Sequence, residues 1–302
     1  MNFFAKVKNL TNYTLAKTLS RRLYTKYLKR KIKLQKDEVA ILCPHHSGEI
    51  YLICSMIDSF KTKHNIDKII LIGSKKYHQQ IYEMFAHKID RYYFVEKEYI
   101  KCLKYHLSVK KGNFFLSTDG LWSTLIEYGI PHFDVLKICA DIGKNSKLSH
   151  PLIKEEYQIS AKDKFNKLSL KEDKTVLISP EAISAQSLPI SFWQKISEQL
   201  KVKGYDVFLN IMDDKNAIKD VKTEYLNFSE AFIFTQMCGH VIALRSGFCE
   251  VISGANANFH IIYNNLSHKT YGMKPIIKKN LMEYVFKKQS LDDLMNNILK
   301  SF

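Results

Sequence analysis

The sequence predicts an α/β chain made of two Rossmann-like halves, each an open, mostly parallel sheet flanked by helices. Three observations carry this reading. From residue 38 onward short apolar runs alternate with amphipathic segments, the pattern of right-handed βαβ units. The alternation lapses over a polar, lysine-rich stretch and then begins again at residue 174. A length of 302 residues exceeds one ordinary core but suits two domains of roughly 130 to 150 residues. The expected organisation is a basic amphipathic segment at 1–36, a first half at 37–150, a linker at 151–173 and a second half at 174–302.

Each element has its own signal. "EVAILCP" (38–44) reads as a buried strand, and "GEIYLICSMIDSFKTKH" after it as a helix. "DKIILIGS" (67–74), "RYYFVEK" (91–97) and "NFFLSTDG" (113–120) are the next strands, separated by helices through "YHQQIYEMFAHKI" and "EYIKCLKYHLSV". In the second half "KTVLISPEA" (174–182) is a strand, "PISFWQKISEQLKVKG" (189–204) a helix closed by a glycine, and "YDVFLNIMDD" (205–214) a strand. A helix near "NFSEAFIFTQMC" leads to the strand "HVIALR", a helix after Ser246 and the strand "FHIIYN". Ser290 caps a closing helix with acids in its first turn. Paired halves of this kind are expected to take ligands in a cleft facing the carboxyl ends of both sheets.

Net charge is +16, and its distribution is uneven. Residues 1–36 hold eleven Lys or Arg and no acid, interleaved with Phe3, Phe4, Val7, Leu10, Leu15, Leu19, Leu23, Tyr24, Tyr27 and Leu28 at helical spacings. A basic amphipathic helix suits an anionic membrane surface, where each cation adds about 1 kcal/mol. The same pattern also fits a helix packed on the domain with a solvated basic face. Nucleic acid is not expected, because no zinc finger, RNP aromatic motif or KH loop occurs. No apolar run reaches the roughly 20 residues that span a bilayer. The six cysteines lie far apart without a CxxC pair, which favours reduced, packed thiols in a cytoplasmic protein and no structural metal.

Three loops could carry chemistry. In "PHHSGEIY" (44–51) a strand ends at His45 and His46 just as a helix begins; Gly48 admits close approach to a ligand, and Glu49 projects where a general base would face a cleft. Glu49 would equally serve as a first-turn acid balancing the helix dipole, and His46 as a cap. In "VIALRSGFCE" the strand delivers Arg245, Ser246 and Gly247 to the sheet edge. The amides of Gly247, Phe248 and Cys249 would meet a diphosphate there, with Arg245 as a bidentate clamp. Glu250 could accept ribose hydroxyls. In "SPEAISAQSLP" (179–189) Ser179, Glu181 and Ser184 are the polar candidates for donor contacts, unless the loop is an ordinary connection. His132, Asp119 and Asp134 are further polar residues near the end of the first half. The chain lacks the GxGxxG and GxxxxGK[ST] fingerprints.

Taken together, "HHSGEIYLICSMI", "VLISPEAISAQSLPISFWQKISEQLKVKGYDVFLN" and "VIALRSGFCEVISGANANFHIIY" resemble the GT-B glycosyltransferases, above all the lipopolysaccharide heptosyltransferase branch, glycosyltransferase family nine. The resemblance implies a GT-B fold and a donor nucleotide sugar used as substrate, with no cofactor and no metal. The acceptor it implies is a glycan or lipid-linked saccharide. In that family a Gly-Asp at the first strand-to-helix turn supplies the proposed base, and a Thr-Gly turn in the second domain binds the donor diphosphate. Gly48 and Glu49 match the first pair, Ser246 and Gly247 the second, Phe248 the leucine after it, and Ser179 opens the matching donor-side loop. The sequence departs from the family in three places: Glu49 replaces Asp, Arg245 replaces an Asp, and Glu250 stands where a histidine is usual. The Ser-x-Gly-Glu turn also resembles the Kdo transferases, which sit on the inner membrane through a basic, apolar surface. The implied reaction is direct displacement at the anomeric carbon, leaning towards inversion, at the inner face of the cytoplasmic membrane. Two other readings compete: a polysaccharide pyruvyl transferase, whose "RxHG" turn resembles "VIALRSG" without its histidine, and a basic polyanion-binding protein without enzymatic activity.

Overall fold

The computed structural model describes residues 14–106, 108–116, 122–183, 185–212, 217–264, 267–286 and 290–302. The chain divides into two compact units, one running to Thr124 and including Asp134–Ser149, the other made of Leu125–Phe133 and His150–Phe302.

The first unit is built on a four-stranded parallel sheet of β1 (Glu38–Cys43), β2 (Lys68–Gly73), β3 (Arg91–Phe94) and β4 (Asn113–Leu116), in the order β3-β2-β1-β4. Every residue of β1 is buried, which is why "EVAILC" reads as an unbroken apolar run rather than an alternating one. Its acid, Glu38, is held by the Arg91 guanidinium at 2.7 and 2.8 Å. In chain order the helices up to residue 139 are α1 (Thr14–Lys31), α2 (Ser47–Ser55), α3 (Ile57–His64), α4 (His78–Met84), α5 (Lys97–Ile100), α6 (Trp122–Glu127) and α7 (His132–Cys139), of which residues 125–127 and 132–133 belong to the second unit. The single helix expected over 48–64 breaks at Met56, whose backbone leaves the helical region. The helix expected through "EYIKCLKYHLSV" stops at Ile100. Beyond it His106 donates its amide to the Phe114 carbonyl at 3.0 Å and joins the sheet edge instead.

Helix α1 is not an isolated surface helix. Tyr24, Leu28 and the following Ile32 are buried in a cluster with Ala40, Leu42, Ile70 and Phe114. Tyr24 stacks on Tyr99 with ring centroids 5.8 Å apart, and the Lys104 amide donates to Thr25 Oγ1 at 2.7 Å. The structure therefore divides the apolar residues of α1 between two faces: Tyr24 and Leu28 enter the core, whereas Leu19, Leu23 and Tyr27 stay exposed. The remainder of the basic segment, residues 1–13, lies outside the described residues.

The second unit carries a six-stranded, all-parallel sheet in the order β10-β9-β8-β5-β6-β7. Its elements are α8 (Glu155–Lys167), β5 (Thr175–Ser179), α9 (Ile190–Val202), β6 (Asp206–Asn210), β7 (Lys222–Glu224), α10 (Phe228–Cys238), β8 (Gly239–Leu244), α11 (Gly247–Ile252), β9 (Asn258–Tyr263), α12 (His268–Tyr271), β10 (Leu281–Val285) and α13 (Leu291–Leu299). Composition suggested a linker at 151–173, but the structure places α8 there. It buries Ala161 and Phe165, and Lys164 pairs with Glu230 at 2.8 Å, so this polar stretch is part of the second unit. Helix α9 ends as its sequence predicts: Gly204 follows Lys203 with φ +86°, a left-handed conformation that costs glycine no Cβ clash. Ser290 accepts the Asp293 amide at 3.1 Å at the start of α13.

Candidate functional site

Each sheet reverses direction beside its first strand, and in each unit the candidate residues follow the carboxyl ends of strands at that point. In the first unit the chain moves from β1 to β2 on one side, while β4 lies on the other. In the second it moves from β5 to β6, while β8 lies opposite. Open parallel sheets bind ligands outside the carboxyl ends of such strands.

In the first unit β1 ends into His45, His46, Ser47, Gly48 and Glu49. His46 is the extended N-cap residue of α2, and its amide donates to Glu49 Oε2 at 3.2 Å, so the half-exposed carboxylate folds back over the helix start. Gly48 is buried in the first turn. The turn is fixed from below by a residue the sequence did not single out. His78 is fully buried; its Nδ1 accepts the Ser74 amide at 3.1 Å, and its Nε2–H donates to the His45 carbonyl at 3.0 Å. Those two bonds define a neutral imidazole protonated at Nε2. Burial, with the charge of Lys75 adding to it, pulls the His78 pKa down to about 4.

Lys75, from the loop after β2, donates from Nζ to His46 Nδ1 at 3.0 Å. His46 is thereby an acceptor at Nδ1, and burial together with Lys75 and Lys97 lowers its pKa. Burial and the neighbouring Lys97 also lower that of Lys75, while Glu49 works in the opposite sense. Tyr77 is pushed up to about 12 by burial and by Glu49. Among the described residues this edge brings Glu49, His46, Tyr77, Lys75 and Lys97 together, Lys75 coming from the loop after β2 and Lys97 from the start of α5. Sequence reasoning found the acid and the imidazole. The lysines and Tyr77 were hidden because Lys75 and Tyr77 follow β2 and Lys97 opens α5, and they meet the β1 turn only through the strand order.

In the second unit β8 delivers Arg245, Ser246 and Gly247 to the start of α11. Here the structure corrects two expected roles. Arg245 is only 4% exposed; its guanidinium grips Glu250 through both carboxylate oxygens, donates to the Ser246 carbonyl at 2.7 Å and donates from Nε to the Tyr271 carbonyl at 3.0 Å. Burial opposes its charge, but Glu250 outweighs it and holds the guanidinium pKa above its usual value. Four donor contacts inside the protein leave the side chain committed, so Arg245 braces the turn instead of clamping a diphosphate. Glu250, 1% exposed, is its counter-ion and does not face a ribose. The reason is chain geometry: residues 245 and 250 flank one helical turn, so an arginine at the strand end and an acid in the first turn reach each other before either reaches solvent.

Ser246 is the N-cap residue with extended backbone, but its hydroxyl does not cap α11. Its Oγ is buried and bonds no nitrogen or oxygen among the described residues. The Cys249 amide already donates to the Ser246 carbonyl at 3.0 Å. That leaves the first-turn amides of Gly247 and Phe248, which have no acceptor within the helix. Ser179, at the end of β5, lies in register with Ala243 of β8 and is buried. Glu181 accepts the Met212 amide at 3.0 Å, tying the donor-side loop to the end of β6. Ser184 lies outside the described residues. The same loop is held from β9 by Asn264, buried, which donates to the Gln186 carbonyl at 2.8 Å. Beside the Arg245 turn, Tyr263 donates its hydroxyl to Glu283 at 2.6 Å, and His268 contacts the other Glu283 oxygen at 3.1 Å. Burial works against the Glu283 charge, but Tyr263, the Met273 amide and His268 outweigh it and lower its pKa. Among the described residues no group of three His, Cys, Asp or Glu side chains is arranged to hold a metal ion, and no helix is long and apolar enough to cross a membrane. All six cysteines are free thiols.

No protein-family model matches the chain, and no curated protein sequence does. Solved structures do. A glycosyl transferase family 9 protein from Veillonella parvula superposes with a TM-score of 0.65 over 89% of this chain and 99% of its own, at 12% identity. The Escherichia coli ADP-heptose lipopolysaccharide heptosyltransferase II gives 0.64 over 87% and 96%, also at 12%. The E. coli heptosyltransferase WaaC, solved with ADP-2-deoxy-2-fluoro heptose, gives 0.52 over 88% and 100%, at 11%. The chain therefore has the fold of the family nine glycosyltransferases.

Proposed function

We propose that this protein is a glycosyltransferase that moves a sugar from a nucleotide-sugar donor to a bacterial surface glycan or glycolipid, in lipopolysaccharide, lipooligosaccharide or capsule. The observation that carries the reading is Glu49. It stands in the first turn after β1, at the switch point of the first sheet, half-exposed, in a protein with the fold of family nine transferases. In the proposed reaction the acceptor oxygen attacks the anomeric carbon while Glu49 takes its proton. The bond from that carbon to the diphosphate breaks, and the nucleoside diphosphate leaves with the electron pair, inverting the centre.

The donor belongs to the second unit. The amides of Gly247 and Phe248 and the Ser246 hydroxyl receive the diphosphate, and Arg245 acts as a positioning residue by holding that turn through Glu250. Ser179 and the loop held by Glu181 meet the nucleotide or sugar. The nucleotide sugar is a substrate, and neither a cofactor nor a metal is part of the proposal. His45 and His46 with Gly48 line the acceptor side, and Lys75 and Lys97 give that edge a preference for an acceptor bearing negative charge. The acceptor is met at the inner face of the cytoplasmic membrane. A pyruvyl transferase reading gains nothing from Arg245, whose guanidinium is already committed.

The test is release of nucleoside diphosphate from a panel of nucleotide sugars in the presence of extracted bacterial glycolipid. Glu49→Gln should lower turnover by about 10²- to 10⁴-fold, the usual contribution of a general base. Full turnover by that variant would remove Glu49 from the mechanism.

A further inference from the structure

A basic cavity lies away from the carboxyl edges. It has a volume of about 520 Å³ and is walled by α1, by the loop after it, by Lys104 and His106, and by Asn113 at the start of β4. Six of its eleven lining residues are Arg22, Lys26, Lys29, Arg30, Lys33 and Lys104, and none is acidic. Lys29 is drawn inward by a hydrogen bond from Nζ to Asn113 Oδ1. The positive field is felt by its neighbour: burial first, then Lys110, Lys104 and Lys29, pull the His106 pKa down. Like charges concentrated in a concave wall focus potential and recruit an anion.

The second observation is what adjoins the cavity. At 100° per residue the lining cations of α1 occupy one side of the helix, and Leu19, Leu23 and Tyr27 form a row at four-residue spacing directly beside Lys26 and Arg30. These three remain 58%, 48% and 42% exposed although α1 buries Tyr24 and Leu28 on an adjoining side, where the Tyr27 ring lies 6.2 Å from that of Tyr24. The row runs about 12 Å along the helix. A polyanion in free solution has no use for such a row. A bilayer surface uses both features, phosphate for the cations and acyl chains for the leucines.

We propose that this cavity binds the phosphate-bearing headgroup of an anionic membrane lipid, while Leu19, Leu23 and Tyr27 enter the bilayer beside it. The inference gives the membrane-face placement a defined site and needs nothing from the transfer chemistry.

Co-sedimentation of the full chain with phosphatidylcholine vesicles, with and without phosphatidylglycerol, tests it. Binding is expected only when phosphatidylglycerol is present. Lys29→Gln with Lys104→Gln should weaken binding about 30-fold, two cations at about 1 kcal/mol each. Leu23→Ser with Tyr27→Ser should weaken it at unchanged charge. Lys162→Gln with Lys203→Gln removes the same charge from exposed positions of the second unit and should leave binding intact. Thermal melting confirms that each variant is folded, and transfer to a water-soluble acceptor fragment, which reports the reaction separately, should not change. Equal loss in the cavity and control pairs would overturn the proposal, as would equal binding to both vesicle types. It would also fail if inorganic phosphate released the protein at matched ionic strength, which would make the ligand a soluble phosphate, or if single-stranded RNA displaced the vesicles.

Discussion

Arg245 and Glu250 form a two-pronged ion pair buried at the junction of β8 and α11, with side chains 5% and 2% exposed. The pair joins the end of a central strand to the first turn of the helix whose leading amides are proposed to receive the diphosphate. Removing one partner leaves the other charged and dry. Arg245→Met or Glu250→Gln should therefore destabilise the second unit by about 3–5 kcal/mol, measured by urea unfolding. The double variant Arg245→Met/Glu250→Met should recover most of that loss. If Arg245→Met weakened donor binding without any loss of stability, the guanidinium would be a ligand contact after all.

Acid should weaken both units for the same reason. His78 in the first unit and His260 in the second are fully buried, and burial lowers their pKa values to about 4 and about 3. A histidine with a depressed folded pKa takes up its proton more readily when unfolded. Its stabilisation is complete above the unfolded value near 6.5 and is lost as pH falls from there towards the folded value. Between pH 7.5 and pH 5 each unit should lose about 2 kcal/mol. Stability that stayed flat over that window would mean that these imidazoles are not held neutral.

Gly73, at the end of β2, is required by close packing and not by its backbone angle. A Cβ there would lie 2.5 Å from the Tyr92 hydroxyl and 2.8 Å from His78 Cβ. Gly73→Ala should cost about 1–3 kcal/mol in the first unit. Because His78 holds the His45 carbonyl, the variant should also lower turnover more than it changes donor affinity. Tyr92→Phe offers a control. It removes a buried hydroxyl that bonds nothing among the described residues, so it should leave stability unchanged or raise it.

The sequence revealed most of the central strands, because burial on both faces makes "EVAILC", "TVLIS" and "HVIAL" continuous apolar runs. The edge strands of the first sheet, β3 and β4, were legible as "RYYF" and "NFFL", but those of the second sheet were not. β7 is three polar residues, and β10, "LMEYV", is only half-buried and carries Glu283 in its middle. The linker was misjudged because α8 buries only Ala161 and Phe165 and spends its remaining positions on charge. The positions of Glu49 and Ser246 at strand ends could be read locally. The pairing of Arg245 with Glu250, the support of His45 by His78 and the arrival of Lys75 and Lys97 could not, since they depend on strand order and on which side chain reaches a partner first.

Binding of a nucleotide sugar by the second unit is tested most directly by a thermal-shift titration of the full chain. The series would contain nucleoside diphosphates, their sugar conjugates, free sugars and phosphoenolpyruvate. A saturable rise in melting temperature is expected with one nucleoside diphosphate and with its sugar conjugate, abolished by Gly247→Pro, which removes one of the amides proposed to receive the diphosphate. Stabilisation by phosphoenolpyruvate alone, or by no nucleotide in the series, would contradict nucleotide-sugar binding.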